Sequence, residues 1–149
     1  METNNKSIIT VETEINAPLE AVWKCWTTPE DIVTWNNASD DWCTTRATND
    51  LKAGGKFSYR MESKDGSFGF DFEGTYTQIT IHHQITYVLG DERKVDLVFT
   101  SIQNKTLITE EFEAEHTHPA DHQKFGWQSI LNNFKSYVET SLKSEKQNK

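Results

Sequence analysis

At 149 residues the chain suits one domain and leaves little room for two. A chain of this length buries roughly 70% of its unfolded surface, enough for a core without disulfide or metal staples. Its 23 acidic against 15 basic side chains give a net charge of −8, which argues against nucleic-acid backbone binding and against docking on anionic lipid.

The opening "METNNKSIITVETEI" carries no apolar leader, and no run in the chain reaches membrane-spanning length, so a cytoplasmic protein is expected. Within it, residues 7–15 alternate Ile9, Val11, Thr13, Ile15 against Ile8, Thr10, Glu12, Glu14, the period of a strand. "NAPLEAVWKCW" then switches period: Leu19, Val22, Trp23 and Trp26 share one helical face, with Asn16 or Ala17 as cap and Pro18 in the first turn. "TPEDIVTW" predicts a second short helix with Thr28 at its N-cap, Pro29 first, Asp31 in a capping box, and Ile32 and Trp35 pointing inward. Cys25 and Cys43 lie beside Trp26 and Trp42 and predict buried, reduced thiols, since two cysteines make no disulfide framework.

Residues 36–50, "NNASDDWCTTRATND", read as a long irregular loop, with Trp42 plugging the core or lining an opening. Strands then follow at short intervals. "KFSYRME" turns Phe57, Tyr59 and Met61 one way, and "SKDG" predicts a hairpin through Asp65-Gly66. "FGFDFEGTYTQI" puts Phe68, Phe70, Phe72 and Tyr76 on one parity, interrupted by Gly74. A side chain at Gly74 would meet a helix laid across the sheet, or fill space something else needs. Residues 85–90, 95–102 and 106–115 complete an antiparallel meander. The longest helix comes last, with Pro119 at its start and a stripe of Trp127, Ile130, Leu131, Phe134, Val138 and Leu142; 143–149 predict a polar tail after a core of about 8–142. One sheet with one apolar face and one helix with one apolar stripe are satisfied by laying the helix on the sheet, an α+β architecture.

Three features bear on chemistry. Glu110 shares strand parity with Ile108 and Phe112, so alternation points its carboxyl inward, where desolvation raises its pKa; it is the weak candidate for a catalytic base. Arg60 and Asp71 take the parity opposite to the rings and predict outer-face charges. "EHTHPADH" gathers His116, His118, Asp121 and His122, but the spacing matches no metal motif and straddles a helix start, so a solvated turn is expected and no metal. The same holds for His82-His83 in a hairpin turn. Gly126 weakens a helix interior, and either close approach of the sheet or clearance for a ligand beside Trp127 would account for it. Phosphate-cradling loops, Ser-His-Asp sets and paired metal carboxylates are lacking, and no cofactor is expected.

Several segments together, "INAPLEAVWKCWTTPEDIVTW", "DLKAGGKFSYRM", "DGSFGFDFEGTYTQI" and "FGWQSILNNFKSYVE", resemble the START-like (SRPBCC, helix-grip) superfamily. More narrowly they resemble its group related to the C-terminal domain of the activator of Hsp90 ATPase. The resemblance implies a seven-stranded antiparallel sheet gripping the C-terminal helix, with an apolar pocket between them. Aromatic stripes ordinarily pack on one another, but this resemblance turns the expectation towards a cavity for a lipid-like or flat aromatic molecule. Trp35, Trp42, Phe57, Tyr59, Phe70, Phe72, Tyr76, Phe112 and Trp127 would line it, with Glu110, Tyr59 and Tyr76 as polar anchors. Entry would lie between the 36–50 loop, the hairpin ends and the N-terminal half of the last helix. Two other functions stay open: a cyclase or dehydratase using Glu110 and a tyrosine, and partnership with Hsp90. No counterpart of the eukaryotic co-chaperone's additional N-terminal domain is expected, which weighs against the latter. A monomer is expected.

Overall fold

The structure is a computed structural model and describes residues 8–116 and 118–147, with side chains as far as residue 141. Strand β1 (Ile8–Ile15) buries Ile9, Val11 and Ile15 and exposes the alternate residues, as its period requires. Helix α1 (Leu19–Thr27) and helix α2 (Pro29–Trp35) follow at once. Val22 and Trp23 are buried on α1, Ile32 and Trp35 on α2. The cap of α1 differs from expectation, while that of α2 falls on the expected residue. Pro18 holds the N-cap of α1, in place of Asn16 or Ala17, and Thr28 holds that of α2 without a side-chain cap bond. Asp31 accepts a hydrogen bond from the Tyr137 hydroxyl, so tertiary structure ties the α2 terminus where a capping box would have acted locally.

The remaining strands are β2 (Trp42–Asn49), β3 (Lys56–Ser63), β4 (Gly69–Thr80), β5 (Gln84–Leu89), β6 (Lys94–Ile102) and β7 (Lys105–Glu113). They form one seven-stranded antiparallel sheet in the order β1-β7-β6-β5-β4-β3-β2, a meander closed by the first strand at its far side. The segment expected to be an irregular loop therefore contains an edge strand. β2 pairs along β3 with a register shift between Thr44 and Arg46, which twists the edge. A second shift falls between Tyr76 and Gln78, where Tyr76 exchanges backbone bonds with Gly54 and Gly55.

Gly74 lies opposite Phe57. A Cβ there would stand 2.6 Å from the Val88 carbonyl oxygen and 2.9 Å from the Phe57 ring. The glycine thus makes room for a cross-strand ring that lies over it, rather than for the helix.

Helix α3 (Ala120–Gln147) lies across the concave face of the sheet and runs past residue 142, where the sequence predicts the ordered core to end. Leu131, Phe134 and Val138 are fully buried on it, with Trp127 and Ile130 partly so; the side chain of Leu142 lies outside the described residues. Phe134 packs edge-on against both Trp26 and Trp35, at 4.8 and 4.7 Å between centroids, and Phe99 closes the cluster from β6. Polar bonds fix the helix along its length. Gln128 donates to the Glu12 carbonyl, Lys135 to that of Glu14, and Asn133 to that of Trp35. At this end of the molecule the rings of α1, α2 and α3 pack closely on one another.

Candidate functional site

The other end is hollow. Between the concave face of the sheet and the N-terminal half of α3 lies a cavity of about 330 Å³, within the range of small-molecule sites. Its wall is built by strand alternation. Phe57, Tyr59 and Met61 project from β3, Phe70, Phe72 and Tyr76 from β4, Ile85 and Tyr87 from β5, and Glu110 from β7. α3 supplies the roof through His122, Gln123, Gly126, Trp127 and Ile130, while Trp26, Thr27, Trp35 and Asn36 form the closed end. A Cβ at Gly126 would meet nothing within 4 Å. Close approach of the sheet is therefore not its reason, and the position opens onto the cavity.

The aromatic residues thus fall into two groups that no sequence period separates, meeting at Trp26 and Trp35, which pack in the first and close the end of the cavity. Trp23, Trp26, Trp35, Phe99 and Phe134 pack on one another. Phe57, Tyr59, Phe72 and Tyr76 touch along the sheet at 5.2–6.2 Å and leave their far sides to the void. Of the residues expected to line it, Trp35, Phe57, Tyr59, Phe70, Phe72, Tyr76 and Trp127 do so in the structure. Trp42 does not: it sits on edge strand β2, half-buried against Phe70. Phe112 does not either, because the Trp127 ring stacks on it at 3.9 Å and screens it from the space. Phe70 is 47% exposed, at the open end.

Glu110 is 4% exposed, and among the described residues no hydrogen bond or ion pair reaches its carboxyl. Burial pushes its pKa up to about 8. Burial likewise raises the Tyr59 and Tyr87 hydroxyls well above the usual tyrosine range, with Tyr76 and Glu110 adding to Tyr59, and Glu110 and Tyr59 adding to Tyr87. Tyr76, beside Tyr59 and Asn49, is raised by burial to about 12. Tyr59 and Tyr87 therefore both feel Glu110 and Tyr76 within a single wall.

The open end carries groups that sequence reasoning assigned elsewhere. Arg93 reaches it from the β5–β6 turn, where its Nε bonds the Asp91 carboxylate at 2.7 Å. Glu115 and His118 pair at 2.6 Å, and the His118 ring stacks on His122 at 5.9 Å. Gln123, buried at the start of α3, accepts from the Glu115 backbone N–H and donates to the Glu115 and His118 carbonyls. The histidine-rich segment is thus a tied rim to the cavity, and among the described residues no group of three His, Cys, Asp or Glu side chains is placed to hold a metal. Tyr87 was also missed; its strand "ITYVL" is so evenly apolar that alternation is hard to see, although Ile85, Tyr87 and Leu89 share a parity. Neither cysteine forms a disulfide; both are half-buried, where full burial was the expectation. Arg60 bonds Glu62 and Asp71 on the convex face, as its parity predicts. No helix is long and apolar enough to cross a membrane among the described residues.

Known proteins place this geometry. The chain is 44% identical to an AHSA1-like protein of Aeromonas hydrophila, with a TM-score of 0.86 over 91% of this chain and 94% of that one. A protein of Cytophaga hutchinsonii is 48% identical, with a TM-score of 0.78 over 94% and 96%. At 17% identity, a protein of Nitrosomonas europaea shares the fold with a TM-score of 0.76 over 93% and 98%. No curated protein matches the chain. Residues 16–139 match the family model described as Activator of Hsp90 ATPase homolog 1-like protein, a START-type fold that commonly binds hydrophobic ligands. The chain belongs to the Activator of Hsp90 ATPase homolog 1-like family.

Proposed function

We propose that the protein binds a hydrophobic small molecule, flat and aromatic or lipid-like, in the cavity between sheet and α3. The observation that carries this is the void itself: about 330 Å³ walled by rings, in a protein whose other rings pack edge-on against one another. A core under selection for stability alone would close on it, since each lost contact costs packing energy. Rings supply area and shape; Glu110 and the tyrosine hydroxyls supply orientation.

NMR titration with a library of flat aromatic and lipid-like compounds tests the proposal. Binding should move the signals of Gly126, Trp127 and Tyr59 together. Shifts confined to the convex face, around Arg60 and Asp71, would reject it.

Catalysis of the cyclase or dehydratase type is less well supported. A base of pKa about 8 is mostly protonated at neutral pH, and tyrosines raised above their ordinary range are reluctant acids.

A further inference from the structure

The cavity's charges are unevenly matched. At the rim, Arg93 is held by Asp91 and His118 by Glu115, while His122 stacks on His118. On the inner wall, the polar groups that feel Glu110 among the described residues are the phenols of Tyr59 and Tyr87, and its strand neighbours Val11 and Leu97 are apolar. A carboxyl in that position asks for a donor that the described residues do not provide.

We propose that the ligand carries a primary ammonium group seated against Glu110, with its aromatic body extending along the rings towards Trp127. This rests on the hydrophobic-ligand reading above and narrows its chemical class. An ammonium has three N–H donors and no acceptor. Facing it are the Glu110 carboxylate and the hydroxyl oxygens of Tyr59 and Tyr87, all able to accept. The surrounding rings add cation–π attraction, which a neutral hydroxyl would leave unused. An anionic ligand would face Glu110, and the cation of this cavity, Arg93 at the rim, is already paired with Asp91. The protein's net charge of −8 further favours a cation's approach.

The proton balance follows from the burial of Glu110. In the empty cavity its carboxyl keeps its proton up to about pH 8. An ammonium ligand binds the carboxylate, so at neutral pH that proton passes to solvent as the complex forms. No bond within the ligand is made or broken. Affinity for an amine should therefore tighten as pH rises towards 8, by at most about tenfold per pH unit, and level off above it. Tyr59, Tyr76 and Tyr87, whose hydroxyls burial raises above the ordinary tyrosine range, stay protonated across this range. The other charged or titratable side chains lining the cavity among the described residues are Arg93, Glu115, His118 and His122 at the rim, and a variant at Glu110 separates its contribution from theirs.

Calorimetric titration with naphthylethylamine, naphthylethanol and naphthylacetate, in buffers of different ionisation enthalpy, provides the test. The amine should bind at least about tenfold tighter than the alcohol at pH 8 with proton release near pH 7, and the acetate weakest. Glu110→Gln, which keeps shape and removes the charge, should abolish both the amine's advantage and the proton release. A Glu110→Gln protein that keeps them would overturn the proposal. So would an alcohol that equals the amine in the wild-type protein, although its binding would leave the hydrophobic-ligand reading standing. Failure of all three probes to bind would sink both.

Discussion

Glu110 shows how one residue can be read from sequence and still surprise. Its parity with Ile108 and Phe112 announces an inward carboxyl; the missing partner is visible only once the sheet is curved and the neighbouring strands are in register. Below about pH 4.5 the group is neutral in the folded and unfolded chain alike and has no effect on stability. As pH rises from there the unfolded chain releases this proton while the folded chain retains it, so folding is progressively disfavoured until about pH 8, where both are ionised. At 1.36 kcal/mol per unit of pKa the cost reaches at most roughly 5 kcal/mol. Glu110→Gln removes that dependence. Urea unfolding should find the variant gaining stability on the wild type between pH 5 and pH 8, and a constant difference between the two would show that the carboxyl is ionised in the native state.

At the level of elements, the strands with one dry face were plain in the sequence, and so was the stripe of α3. β2 was not. In "WCTTRATN" only Thr44 is fully buried, so neither face is apolar enough to print an alternation, and pairing with β3 supplies what the side chains do not. The rings of β4 show the complementary limit. Phe70 and Phe72 share a parity, yet Phe70 is 47% exposed and Phe72 partly buried, because period fixes which side a residue takes and not how far α3 covers that side. Gly74 is the element's weakest point to alter. Gly74→Ala places a methyl group 2.6 Å from the Val88 carbonyl oxygen and against Phe57, forcing the β4–β5 ladder or the ring to shift. A loss of about 1–3 kcal/mol in denaturant unfolding is expected. An unchanged midpoint would mean that the sheet flexes there freely.

For the whole molecule, the consequence of an interior closely packed at one end and hollow at the other is that occupancy and stability are linked. The sequence carried the fold and most of the ring residues around the hollow, but not the division of the rings into a packed set and a lining set. That division depends on where α3 rests, and Phe134 and Trp127 belong to the same stripe while serving different ends of it. A ligand that binds only the folded chain stabilises it by about 2.7 kcal/mol at one hundred times its dissociation constant. For a domain of this size that is roughly 5–10 °C in Tm. Gly126→Leu should mimic the guest, because its side chain enters open space from the roof and leucine is about 1 kcal/mol better than glycine in a helix. The variant should melt no lower than the wild type, and a compound that raises the wild-type Tm should leave it unmoved. If the compound still raised the Tm of Gly126→Leu, its binding site would lie outside the space beneath α3, and the cavity would have to be explained without a guest.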